Sequence, residues 1–186
     1  MKELEERILK DGIVLDNDVL NVGSFLNQKV DINLLYKQAE VVKEHFSGVT
    51  KVLTIEASGL PFATLVSYLC NCEMVFAKKN KSSNISGEVL TSIVKSYTKE
   101  KEFTICVNKE YLKASDNVLI VDDFLATGAA LIGLIELCNK ANCNIIGCAV
   151  QIEKEYQNGG KVLRDKGYDV LSLAQIKEIR GNKIIF

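Results

Sequence analysis

VLIVDDFLATGAALIGLIELC, residues 118–138, carries the reading of the whole chain. Four branched apolar residues run into Asp122-Asp123, and Ala-Thr-Gly-Ala then opens an apolar pattern with helical spacing. That is a strand, a short turn and a helix. A strand ending in Asp122-Asp123 sets two carboxylates at the rim of a sheet, and alternation points them to opposite sides. Around Thr127, Gly128 and Ala129 the helix start is uncluttered, so its unpaired N–H groups and positive dipole end suit a phosphate dianion. One ligand satisfies both ends. A ribose 5-phosphate donates its vicinal hydroxyls to the carboxylates while its phosphate caps the helix.

Two other readings compete for this stretch. Val-Leu-Ile-Val-Asp-Asp also begins signalling receiver domains, but that fold builds a five-strand unit and too few strands remain after these acids. The acids otherwise face solvent at an ordinary strand end, and the Thr-Gly at the helix onset weighs against that.

Outward from the centre, strands and helices alternate. After strand 117–122 and helix 128–141 come strand 144–152, a helix near 158–167 and strand 168–172. Upstream, residues 2 to 10 read as an amphipathic helix, and GIVLDNDVLNVGSFLNQKVD is apolar but irregular. Asp31 then N-caps a helix, INLLYKQAEVVKEHF, that ends at Ser47-Gly48. Strand 51–55 leads through Glu56-Ala57-Ser58-Gly59 into a helix whose first turn tolerates Pro61, the sole proline. EMVFA is a further strand. KKNKSSNISGE is a polar, basic loop, and VLTSIVKSYTKEKEFTICVN reads as an antiparallel pair about a charged turn. The alternation predicts a parallel sheet with helices on both faces, binding ligands at the carboxyl ends of its strands. No linker or repeat interrupts it, so one domain over residues 1–186 is expected.

Composition narrows the partners. With 47% hydrophobic and 25% charged residues the chain matches ordinary globular domains, and its net charge of -1 offers no field to hold a nucleic acid or an anionic membrane. Neither partner is expected. MKELEERILKDG lacks the apolar core of an export signal, and no later run approaches a membrane span. Most of the six cysteines lie in apolar segments, far in sequence from the only histidine, so core packing is favoured over disulfides or metal. A reducing, cytoplasmic setting follows, and no protein-ligated metal is expected.

The strand, acid pair and Ala-Thr-Gly together resemble the sugar-diphosphate signature of the type I phosphoribosyltransferases. That resemblance implies an α/β, Rossmann-like parallel sheet flanked by helices, a small hood from the N- and C-terminal segments, and an antiparallel flexible-loop pair. It assigns Asp122 and Asp123 to the ribose hydroxyls, and Ala126, Thr127, Gly128, Ala129 and Ala130 to the 5-phosphate of 5-phospho-α-D-ribose 1-diphosphate. Glu56, Ala57, Ser58 and Gly59 resemble the family's pyrophosphate loop, where a small Ser-Gly pair lets the main chain approach. Lys79 and Lys81 in the basic segment would neutralise the departing diphosphate as the loop closes. Magnesium would accompany the diphosphate, and a homodimer is implied.

The match extends along nearly the whole chain, through GIVLDNDVLNVGSFLNQKVD, LTIEASG, MVFAKKNKSS, VLIVDDFLA and QIEKEYQNGGKVLRDKGY. The first and last of these resemble the family's xanthine branch, implying transfer to xanthine. On that basis Leu20 and Asn27 line the base pocket from the hood, and Lys154 reaches the base from the end of strand 144–152. Lysine only donates, so Lys154 suits a 6-oxo purine, and the Asn27 amide suits an oxygen at the 2-position. Tyr156 either stacks on the base or lies at the surface. Hypoxanthine or guanine stays open as the substrate, because an amide presents either end. A non-catalytic purine regulator ranks lower, for want of a basic DNA-reading domain. One departure stands: Ala-Thr-Gly-Ala-Ala replaces the Ala-Asn-Gly-Gln-Ala expected of the xanthine branch.

Overall fold

The computed structural model describes residues 1–16, 19–79, 87–95 and 102–186. Helix α1 (Lys2–Asp11) leads into a short hairpin, β1 (Ile13–Leu15) with β2 (Val19–Asn21), and then a π-turn over Gly23–Asn27. Helix α2 (Ile32–His45) follows, capped as its sequence predicts: the Asp31 carboxylate accepts the Leu34 N–H at 3.2 Å. Next come β3 (Lys51–Ile55), α3 (Leu60–Cys70), β4 (Glu73–Lys79), β5 (Val89–Lys95), β6 (Glu102–Asn108) and β7 (Asn117–Leu125). The chain closes with α4 (Ala129–Ala141), β8 (Asn144–Lys154), α5 (Gly159–Asp165), β9 (Val170–Ile176) and a hairpin of β10 (Glu178–Arg180) and β11 (Lys183–Ile185).

Seven strands form the central sheet in the order β5-β6-β4-β3-β7-β8-β9. The five from β4 to β9 are parallel, while β6 runs antiparallel to β4 and to β5. This is the doubly covered sheet expected, with β5–β6 as the antiparallel pair. Alternation along β7 divides the core. Val118 and Ile120 pack on one face with Leu131 and Leu134 of α4, and Leu119 and Val121 on the other with Leu35, Ala39 and Phe62 of α2 and α3. Each such side chain, fully withdrawn from water, contributes about 1.5–3 kcal/mol. Both terminal segments join the second of these faces, through Leu4, Ile8, Leu20, Phe25 and Ile179, and so build the hood.

Some boundaries move. β7 runs on to Leu125, three residues past the expected end, because Phe124 pairs with Ile152 and Leu125 with Glu153 of β8. β9 spans Val170–Ile176 in place of 168–172 for a like reason, its pairing with β8 continuing to Ile176 opposite Lys154. α2 stops at His45, short of Ser47-Gly48, where Phe46 turns extended and tucks into the core. The cysteines pack as expected: Cys106, Cys138 and Cys148 are buried, and burial pushes the Cys148 thiol up to about 12. Among the described residues no helix is long and apolar enough to cross a membrane.

Candidate active site

At the carboxyl ends of β3, β7 and β8 the structure collects most of the residues singled out above. Asp122 and Asp123 are both buried, at 5% exposure each, rather than lying at an open rim. They also do not diverge. The Asp122 side chain curls back so that its Oδ1 accepts the Asp123 N–H at 2.9 Å, and this local bond overrides the alternation of a regular strand. Burial drives the Asp122 carboxyl well above the usual carboxylate range, and the neighbouring Asp123 charge drives it further. The Lys79 ammonium offsets part of that rise. A ligand that brings positive charge or further hydroxyl donors would relieve Asp122.

Asp123 is held by neutral donors. Ser58 Oγ donates to its Oδ1 at 3.0 Å, and Asn27 Nδ2 to its Oδ2 at 3.2 Å. So the turn after β3 and the hood meet on the same carboxylate. The turn itself fits only because residue 59 has no side chain: a Cβ there would lie 2.7 Å from Asp122 Oδ1 and 2.8 Å from Thr54 Oγ1. Thr54 Oγ1 is buried with no hydrogen-bond partner among the described residues, beside the acid most in need of one. The Glu56–Ala57 peptide is cis, and Glu56 Oε1 accepts the Lys79 N–H at 2.6 Å, tying the turn to the end of β4.

The turn from β7 into α4 supplies the other half. Gly128 sits at φ +84, a left-handed conformation that glycine adopts without strain, and it precedes Ala129, the first helical residue. No protein group among the described residues accepts from the amides of Thr127, Gly128, Ala129 or Ala130. The amides open a helix of 13 residues, so the dipole adds to them. Such a cluster is built for an anion.

Lys154 is half-buried at the carboxyl end of β8, and Tyr156, two residues on, is partly buried against the core face that carries the hood. Leu20 lies on β2, buried in that core. Lys79 is placed at the end of β4, its ammonium 5.5 Å from the Phe103 ring centroid, whereas Lys81 lies outside the described residues. Sequence reasoning missed Glu153. Its buried carboxylate accepts from Arg164 at 2.9 and 2.7 Å, from Gln175 at 3.2 Å and from Ser172. A lone acid inside an apolar strand, AVQIEK, was the available signal.

A five-strand parallel sheet with an antiparallel extension, carrying a buried acid pair just ahead of a helix start, is the frame of a phosphoribosyltransferase, and the chain belongs to that family: the phosphoribosyl transferase domain matches residues 33–181. Among curated relatives it is 48% identical over 182 residues to a xanthine phosphoribosyltransferase of Bifidobacterium adolescentis, covering 96% of this chain and 94% of the relative. It is 43% identical over 189 residues to one of Clostridium tetani, covering both chains completely. The fold is that of a solved adenine phosphoribosyltransferase of Giardia lamblia complexed with 9-deazaadenine, at TM-score 0.77 and 26% identity over 88% of this chain and 89% of that one. A Trypanosoma brucei adenine phosphoribosyltransferase shares the fold alone, at TM-score 0.76 and 16% identity over 98% of this chain and 88% of that one.

Proposed function

We propose that the protein transfers the 5-phosphoribosyl group of 5-phospho-α-D-ribose 1-diphosphate to xanthine, giving xanthosine 5'-phosphate and pyrophosphate. The observation that carries this is a buried acid pair, Asp122 and Asp123, just ahead of a helix start whose amides at residues 127–130 have no protein acceptor among the described residues. Ala126, Thr127, Gly128, Ala129 and Ala130 take the 5-phosphate, and Asp122 and Asp123 take the ribose hydroxyls. Identity of 43% and 48% to xanthine phosphoribosyltransferases, over nearly the whole chain, supports the choice of base.

The barrier lies in forming an oxocarbenium-like ribose, so the protein acts by position and charge rather than by covalent chemistry. Asn27 and Ser58 stand on Asp123 where sugar hydroxyls would donate, so the activated sugar displaces them. The released Asn27 amide is then free to donate to the 2-oxo group of the base, while Lys154 donates to the 6-oxo group and Tyr156 packs beside the ring. Leu20 closes the base pocket from the hood. Glu56, Ala57, Ser58 and Gly59 receive the leaving diphosphate, with the Lys79 cation and, beyond the described residues, Lys81. Magnesium is a hard cation that suits carboxylate oxygens, and the buried pair Asp122 and Asp123 are the residues that would face it. When bound it would supply positive charge to offset that of the departing diphosphate.

The proposal includes a single domain, a homodimer and work in the cytoplasm; sedimentation giving only monomer would contradict the dimer. Pyrophosphate release measured with xanthine, guanine, hypoxanthine and adenine tests the reaction. Xanthine is expected to give the highest kcat/KM, adenine the lowest, and Asp123→Ala to lose turnover. Preference for guanine or hypoxanthine would move the assignment to the sibling 6-oxopurine enzymes. Preference for adenine would defeat the role given to Lys154.

A further inference from the structure

The segment Asn158-Gly159-Gly160 is used by none of the steps above, yet it lies against the turn from β7 into α4 on one side and against Glu153, near the end of β8, on the other. The Gly159 N–H donates to the Ala126 carbonyl at 3.1 Å, so the start of α5 is bonded directly to the turn that opens α4. Contact there is backbone on backbone. A Cβ at Gly159 would lie 2.3 Å from Ala126 O, 2.5 Å from Gly128 N and 2.6 Å from Thr127 C, all closer than real side chains come. Main-chain atoms of a tight turn have little room to yield. The neighbouring glycine looks the other way: a Cβ at Gly160 would lie 1.8 Å from Glu153 Oε1 and 2.6 Å from Arg164 Nη1.

Glu153 is fixed in turn by Arg164 of α5 and by Ser172 and Gln175 of β9, and it immediately precedes Lys154. The first turn of α5 is thus wedged between the turn 126–128 and the end of β8. Asn158 carries φ +62, which brings the chain sharply from Gln157 into that wedge. Nothing in helix formation asks for two glycines at the start of a helix, where they weaken it. The close approach on each side does.

We propose that Gly159 is a positioning residue for the transfer: it holds the Gly128 amide in place and sets the spacing between the 5-phosphate turn and the base-binding end of β8. This rests on the reading of residues 126–130 as the 5-phosphate turn. Gly159 touches no reacting atom. It acts by backing the amides that do the binding, as a site needs when errors of about 1 Å cost 100-fold in rate.

Steady-state kinetics of Gly159→Ala and Gly160→Ala test this, since both variants crowd the same helix start but only the first presses on the turn. Gly159→Ala is expected to raise KM for the activated sugar at least tenfold, with KM for xanthine at saturating sugar within threefold of the parent. Gly160→Ala is expected to lower the melting temperature comparably and leave the sugar KM within threefold. An unchanged sugar KM in Gly159→Ala, or an equal rise in both variants, would overturn the proposal. If Gly159→Ala does not fold, hydrogen exchange on the parent chain decides with ribose 5-phosphate as probe. The Gly159 amide should slow at least tenfold along with residues 127–130; an unaltered Gly159 beside slowed 127–130 would overturn it. A parent chain that neither consumes the activated sugar nor slows at 127–130 would defeat the underlying assignment instead.

Discussion

Glu153→Gln removes one charge from the joint between β8, α5 and β9 while keeping the side chain's volume. Glu153 is 1% exposed, and its carboxylate accepts two bonds from Arg164, one from Gln175 and one from Ser172. A glutamine oxygen at the Oε2 position keeps the three donors that meet there, Arg164 Nη2, Ser172 and Gln175, but its NH2 group then faces Arg164 Nη1, on a side chain about a third exposed. Hydrogen bonds to a charged group are worth about 1.5–3 kcal/mol each, and breaking a buried pair about 3–5 kcal/mol. Partial rehydration of Arg164 favours the lower end, about 3 kcal/mol. At about 2–4 °C per kcal/mol for a chain of this size, the melting temperature falls by about 6–12 °C.

Burial pushes the Glu153 carboxyl up, but its bonds from Arg164 and Ser172 outweigh this and leave it below the usual glutamate range. Its contribution is therefore fully present above about pH 4.5 and lost as pH falls through the lower, folded value. Thermal melts of parent and Glu153→Gln from pH 4 to 8 should show a constant gap above about pH 5 that narrows below it. A drop under 2 °C at pH 7, or a gap that widens on acidification, would refute the reasoning.

Asp122→Asn should abolish turnover yet stabilise the unliganded fold. Burial and Asp123 hold the Asp122 carboxyl well above its ordinary range, so the parent loses stability as pH rises above about 4, and the amide removes that slope. A gain of about 1 kcal/mol at pH 7, seen in urea melts, is expected; a loss would contradict it. Gly59→Ala places a Cβ 2.7 Å from Asp122 Oδ1 and should both destabilise the fold and cut kcat by about 100-fold or more in initial-rate assays. Lys154→Ala should raise KM for xanthine about 10- to 100-fold with little change in KM for the activated sugar, and an equal rise in both would show that the lysine supports the site as a whole.

The strand, acid pair and helix start were legible because three local signals agree at residues 118–138: a compact apolar run, adjacent carboxylates and a Gly before a helical pattern. Asp31 was readable for the same kind of reason, as a cap sitting directly before an amphipathic run. The two terminal hairpins were not, because three-residue strands such as β1 and β11 carry too little alternation to register. Nor was the meeting of Asn27 with Asp123, 96 residues apart, since only the tertiary fold brings hood and sheet together. The curl of Asp122 onto its own backbone hid the pair's proximity from a rule based on regular strands. Gly159 and Gly160 were visible as a doublet, but what they make room for lies on other elements.

Amide shifts on titration with ribose 5-phosphate test the account most directly. The sugar phosphate should move the Thr127, Gly128, Ala129 and Ala130 resonances in a saturable way and release the Asn27 side-chain amide from Asp123. Saturable shifts confined to other surfaces, with residues 127–130 and Asn27 unmoved, would contradict it.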